Sequence, residues 1–392
     1  VACDLKNKIS SGEEIIMKKR ILIVSLACIL AFAGYLVLTA LDSNSSVATA
    51  SKKTYTGTMY VAGMGGHFAK IDVTLDPNSA DAPIKMNGNM KRVSVGSPKT
   101  HPVHDARIDN KDRNIMYYST YVPDASAGGK VHLGKIDLRS NEVIKDVAVD
   151  IDPRGAKKAP AYCASGQSDK YYMPIFMGSE GYVDVIDKAT MERKHRLYVS
   201  DLGYKPGTYK FTHGTNSPDM KKFLIIINEA EAGKGTGHVD LMLVDLPSME
   251  EGKWKVLAKN SITGEPDMVL AFREYFSADG KYIFQSGADR MWVLNASNLK
   301  IVDEKRIPDG GQVHDVLPTP DGKYALMTVR MLAVAPGAET KEATDGFLMA
   351  YDFDAKKLIG KPVSTCMACH RTLDVAQKKS AILCGIDGNW KM

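Results

Sequence analysis

The run Cys366-Met367-Ala368-Cys369-His370, near the C-terminus, has the spacing in which two thiolates add across haem vinyl groups and the adjacent histidine ligates the iron. Cys366, Cys369 and His370 are therefore candidate residues for attaching one covalent haem c. The same pair of cysteines could instead close a tight disulfide or remain as thiols in a loop. Only 22 residues follow His370, with no further histidine and with Met392 as the one methionine. A haem at this place would have to lie against the rest of the fold or against a partner.

His370 also stands at a position that recurs along the chain. His104, His213 and His314 precede Arg113, Lys222 and Lys323 by nine residues, as His370 precedes Lys379. Two further copies carry Ala161 and Phe272 in place of histidine, nine residues before Lys170 and Lys281. Two copies read Val-His-Asp, at 103–105 and 313–315. The repeat explains His370 without haem, so the motif and the alignment compete for the same side chain.

Elements of one kind must carry these positions. The six copies start 42 to 59 residues apart, a period typical of propeller blades or solenoids. Each copy holds a turn of the Asp279-Gly280-Lys281 kind, then a β-forming run such as Phe223 to Ile227 or Tyr324 to Val329. A second run follows and ends in an apolar residue and Asp, as in Val183-Asp184-Val185-Ile186-Asp187. Four short strands per repeat make one twisted blade. The segment from Thr58 to Val73 reads as one more blade without its opening strand. The expected fold is all-β: a seven-bladed β-propeller of four-stranded blades, its ring closed by the N- and C-terminal strands so that no sheet edge is left free.

In such a ring the loops entering the inner strands surround one mouth of the axis, so His104, His213 and His314 are candidate metal ligands there. Neutral imidazoles bind transition metals. A seven-bladed ring would hold opposite histidines too far apart for all to share one ion, and packing against a neighbouring blade is the plainer role. His132 shares its spacing to Asp137 with that of His67 to Asp72, again a repeat feature, while His101 has no patterned partner. No catalytic residues are assigned. The chain has no nucleophile elbow or zinc-protease motif, and the glycines between 233 and 237 lack phosphate-loop spacing. Asn228 to Gly237 and Met331 to Gly346 are longer than hairpins need and are expected to be loops that dock a partner.

Residues 1–50 read as upstream readthrough followed by a signal peptide, Met17 to Ala50. Met17-Lys18-Lys19-Arg20 and the apolar Ile21 to Ala40 have the order of an export signal, and Ala48-Thr49-Ala50 offers a cleavage site. An uncleaved membrane anchor is the alternative. Residues 51–392 are expected to form a single propeller domain, exported to a periplasm-like compartment and free of the membrane after cleavage. The net charge is +5 for the whole chain. Without the first fifty residues it is nearly the same, and no basic tract points to nucleic acid.

Gly181-Tyr182-Val183-Asp184-Val185-Ile186-Asp187-Lys188-Ala189-Thr190 and Phe276-Ser277-Ala278-Asp279-Gly280-Lys281-Tyr282 resemble the repeats of YVTN-type propellers, a group that includes the propellers of haem-containing nitrite reductases and of amine dehydrogenases. Within that group, the signal sequence, the size and the Cys-Met-Ala-Cys-His tail are similar to the propeller subunit of hydrazine synthase from anammox bacteria. The resemblance implies a scaffold or non-catalytic subunit of an exported multi-haem oxidoreductase complex that joins nitric oxide and ammonium into hydrazine. It would place the chain in the anammoxosome lumen, with haem c and the catalytic centre on partner subunits. Two other classes remain: an independent c-type cytochrome with haem at Cys366, Cys369 and His370, and an amine dehydrogenase-like or nitrite-reductase-like enzyme with its site in the funnel.

Overall fold

Burial falls from the first strand to the last within a repeat, and that gradient orders the sheet. In the third blade every residue of β9 (Tyr162–Gln167) and β10 (Tyr171–Phe176) is buried. Its last strand, β12 (Arg193–Tyr198), keeps only Leu197 fully inside. A strand covered on both faces buries every side chain, and the polar ones of β9 find partners, Ser165 on Asp105 and Gln167 on the Ile108 carbonyl, whereas a rim strand needs one apolar face. The computed structural model describes residues 51–156, 158, 160–307, 311–334, 341–364 and 385–391.

The described strands form six antiparallel sheets. The second blade is β5 (Arg107–Ile108), β6 (Ile115–Ser119), β7 (Val131–Asp137) and β8 (Glu142–Val149). The third adds β11 (Tyr182–Asp187) between β10 and β12. The fourth is β13 (Tyr209–Asn216), β14 (Lys222–Glu231), β15 (Lys234–Asp245) and β16 (Val256–Thr263), with the short helix α1 (Leu246–Glu250) before its rim strand. The fifth is β17 (Glu274–Phe276), β18 (Tyr282–Gly287), β19 (Arg290–Asn295) and β20 (Ile301–Arg306). The sixth is β21 (Gly311–Pro318), β22 (Tyr324–Val334), β23 (Lys341–Asp352) and β24 (Lys357–Ser364).

The first blade joins the chain's two ends. Its inner strand is β25 (Ile386–Lys391), which pairs antiparallel with β1 (Tyr55–Gly63) from Thr56↔Lys391 to Val61↔Ile386. Next comes β2 (His67–Leu75), whose outer edge is shared by the short β3 (Ile84–Met86) and β4 (Lys91–Ser94). This corrects the expected blade number from seven to six. The N-terminal strands and the last repeat are one blade, because the chain after β24 supplies only the single described strand β25. The inner strand of that blade begins at Ile386, sixteen residues beyond the aligned His370. Cys366, Cys369 and His370 themselves, Cys384 and the expected export signal, Met17 to Ala50, lie outside the described residues. No helix among the described residues is long and apolar enough to cross a membrane.

The repeated turn between the first and second strands has a defined chemistry. Tyr282 N–H donates to Ser277 Oγ at 3.0 Å, and Ser277 Oγ donates to Asp279 at 2.7 Å. Thr319 and Asp321 do the same before β22, and Ser217 and Asp219 before β14. The residue after the Asp has positive φ: Gly280 and Gly322 at +69°, and Met220, which takes the same place at +55°. A side chain there is strained, so the glycine of the Asp-Gly-Lys signature is conformational in origin.

Neither of the expected docking loops is a loop throughout. Asn228 to Glu231 continues β14 and pairs with the start of β15 across a two-residue turn at Ala232 (φ +49°) and Gly233 (φ +80°), the backbone a tight hairpin requires. Met331 pairs with Asp345 and Val334 with Lys341, so much of the second segment is also strand. Both ribbons rise at the end where inner strands begin, since Tyr209 faces Glu229 and Gly311 faces Met331.

Ring closure gives the first expected outcome. A chain ending at Gly385 lacks β25, which exposes the edge of β1 and removes buried Ile386 from the core shared by the first and sixth blades. Calorimetry should show loss of the single cooperative transition, and size-exclusion chromatography should show self-association through the open edge. An unchanged melting profile would mean that β25 does not close the ring.

Candidate metal centre

Six blades bring the repeat positions closer to the axis than seven would. The rings of His104 and His314 are 4.9 Å apart, edge to face. Phe272, the aromatic substitute in the fifth blade, stacks on His314 at 5.1 Å and touches the ring of His213 at 5.9 Å. Tyr121 stacks on His104 at 4.2 Å. The position holding alanine in the third blade, Ala161, is followed two residues later by Cys163, whose Sγ lies 2.7 Å from His104 Nδ1.

One ligand atom from each of His104, Cys163 and His314 falls within 4.8 Å of the others, a spacing suited to one metal ion. All three residues are buried, each 2% exposed. Burial, with Arg330 and Arg273 nearby, pushes the His104 imidazole well below its usual range, and burial does the same to His314. Both rings are thus neutral at physiological pH, the form that can ligate a metal. His314 Nδ1 is sealed from solvent without a hydrogen-bond partner among the described residues, which is costly for a polar atom unless something else occupies it.

Of the three histidines expected at the mouth, His104 and His314 meet, and His213 stands apart. Its Nδ1 is 2.8 Å from the Phe211 carbonyl, which can only accept, so Nδ1 carries the proton. Nε2 is buried and without a partner among the described residues, and burial lowers the ring's pKa to about 3. His213 forms the wall behind Phe272. Cys163 was not singled out by sequence reasoning, although its place two residues after an aligned position could have marked it.

Directly beneath the three ligands lies a buried ion network. Arg273, preceding β17, crosses the axis to the carboxylate of Asp105 in the second blade and donates from Nε to Asp315 in the sixth at 2.9 Å. Its Nη1 also donates to the carbonyls of Cys163 at 2.8 Å and His104 at 3.3 Å. These aspartates are those of the two Val-His-Asp copies. Burial works against the charge of Arg273, yet Asp105 and Asp315 hold it cationic. Glu274, beside it, is pushed far above the carboxylate range by burial and by Asp315, so it is a neutral acid.

A second group, His101, His132 and Asp146, is satisfied by its own hydrogen bonds. His132 presents Nδ1 to Asp146 at 2.7 Å and Nε2 to Asp124 at 3.2 Å. Asp146 also accepts from Tyr118 at 2.5 Å and faces His101 Nε2 at 3.3 Å. The bond to Asp146 raises the His132 pKa against the effect of burial. Burial would raise Asp146, but its bonds from His101, His132 and Tyr118 hold it well below the usual range. This is an ion-pair cluster tying β7 to β8 and to the loop carrying Asp124.

No protein-family model matches the chain, and no curated protein matches it. Among solved structures, it is similar to the β-propeller domain of Cps50 (Swd1) from Myceliophteria thermophila, with 12% identity, a TM-score of 0.38, and coverage of 67% of this chain and 86% of that one. It is also similar to the Dos1 propeller, with 11% identity, a TM-score of 0.42, and coverage of 76% and 67%. Both likenesses concern the propeller fold alone. The six-bladed count comes from the strand pairing itself.

Two outcomes follow from these networks. Arg273→Met leaves Asp105 and Asp315 buried without their cation, so urea unfolding should show a loss of about 3–5 kcal/mol. Adding Asp105→Asn and Asp315→Asn should recover part of it, and an unchanged midpoint in the single variant would contradict the network. For His132 the folded pKa is raised, so its stabilisation is full below the unfolded value of about 6.5 and is lost as pH rises through the folded value. Its partners Asp124 and Asp146 have lowered pKa values and contribute above about pH 4. The melting temperature of His132→Gln should therefore fall furthest below that of the native chain between about pH 4 and 6.5, and the gap should narrow at higher pH.

Proposed function

We propose that this chain is a propeller subunit that holds one copper ion at its axial mouth, on His104, Cys163 and His314, within an exported redox assembly. The observation that carries the reading is the convergence of two imidazoles and one thiol from three different blades, all buried, with a sealed imidazole nitrogen left without a partner. Two imidazoles and a thiolate are the donor set of mononuclear electron-transfer copper, although zinc also accepts them. The ligands' burial keeps a substrate from the ion, which favours electron transfer over substrate chemistry. A copper held by His104, Cys163 and His314 would supply one-electron transfer, taking an electron from one partner centre and passing it to another.

The partner side of this proposal rests on sequence. Export follows from the segment Met17 to Ala50, and haem-bearing partners follow from the resemblance to the hydrazine synthase propeller subunit. On that reading catalysis occurs on partner polypeptides, and a covalent haem c at Cys366, Cys369 and His370 would be this chain's own second centre. The paired ribbons β14–β15 and β22–β23 flank the mouth that carries the copper ligands, which suits them to meeting a partner there.

Metal analysis and visible spectroscopy of the purified chain test the proposal. One copper per chain should bind with an intense thiolate-to-copper band, which Cys163→Ser abolishes. His104→Gln and His314→Gln should each weaken copper binding by at least about tenfold, as even outer-shell changes do at such sites. Tight colourless zinc would replace the copper assignment, and variants that bind metal like the native chain would remove the site. Intact mass and a Soret band, read on the same sample, report separately on haem.

A further inference from the structure

The other end of the axis has a different character. A cavity of about 300 Å³ opens there, bordered by the turns that follow the inner strands. That volume is at the small end of ligand pockets. Arg107, on inner strand β5, reaches into it while only 5% exposed. Its guanidinium crosses to the opposite blade and lies 4.8 Å over the ring of Tyr275. Nε donates to Ser165 Oγ at 3.4 Å. The two terminal amino groups make no hydrogen bond among the described residues, and neither is sealed from solvent, so they face the cavity.

Glu274 makes no hydrogen bond to Arg107, and the ionised carboxylates nearby have other partners. Asp105 is bound to Arg273 and Ser165. Asp387, which lines the cavity, accepts the Ile108 N–H at 2.8 Å and the Gly388 N–H at 2.7 Å. Arg113 adds a second positive charge at the border, fixed by Asn389 and the Gly388 carbonyl. The remaining wall is largely apolar, with Met220, Phe276, Leu317, Pro318 and Trp390. A buried guanidinium with two free donors is matched by the two oxygens of a carboxylate, and the apolar wall is matched by a compact hydrophobic body.

We infer that this cavity binds a small organic monocarboxylate, its carboxylate on Arg107 and its apolar body against Phe276, Pro318 and Trp390. The site is independent of the copper proposal, and Cys163→Ser should leave it intact.

Calorimetric titration with benzoate tests it, with benzamide as the neutral analogue and acetate as the anion lacking a body. Benzoate should bind one per chain, and benzamide and acetate should each bind at least tenfold more weakly. Arg107→Gln should weaken benzoate at least tenfold. Ala278→Trp, an exposed residue at the cavity border, should obstruct the site without touching Arg107 and decides the matter if Arg107→Gln does not fold. No benzoate binding to the native chain, equal binding of benzamide or acetate, or full binding by folded Ala278→Trp would each overturn the inference.

Discussion

Arg273 is the residue on which the centre of this ring depends. It originates in the fifth blade, yet its guanidinium binds the carboxylates of Asp105 and Asp315 and the carbonyls of His104 and Cys163. Those four groups belong to the second, third and sixth blades. Each candidate metal ligand is either next in sequence to a partner of Arg273 or accepts from it through its own carbonyl. The cation therefore fixes the backbone at all three ligands from below, while Tyr121 and Phe272 pack their rings from the side. Buried ion pairs contribute little net stability compared with apolar packing, but removing one partner is severe. At this position the network acts chiefly by setting the relative placement of the second, third, fifth and sixth blades around the axis.

Much of the architecture was legible in the sequence because a propeller repeats its local chemistry. The Ser or Thr, Asp and Gly of the first turn, and the apolar residue and Asp ending the third strand, serve the same backbone needs in blade after blade. Counting failed where repetition failed. Closure of the ring through the terminal strands was expected, yet the copy at His370 was still counted as a blade beside the segment Thr58 to Val73, whereas Ile386–Lys391 is the inner strand of that same blade. The error had a functional cost: a seventh blade would keep His104 and His314 apart, and the six-bladed ring places their rings 4.9 Å from each other.

The centre itself was half visible. The alignment found His104, His213 and His314, and the Val-His-Asp copies pointed to Asp105 and Asp315. It gave no reason to pair them with Arg273, because Arg273 follows Phe272 in a copy that lacks histidine. Cys163 was hidden for the same reason, in the copy that begins with Ala161. Side chains that complement a repeat need not obey it, since the ring brings different strands to a common axis. The long ribbons were misread as loops because their strand pairing extends beyond the sheet, where alternation of apolar and polar residues no longer marks it.

The most direct test of this account is an anomalous difference map from crystals of the copper-loaded chain, recorded on both sides of the copper absorption edge. The account predicts one strong peak per chain at about 2.0–2.3 Å from a ring nitrogen of His104, a ring nitrogen of His314 and the Sγ of Cys163. A map with no peak between these three side chains, in a chain that still binds copper elsewhere, would contradict it.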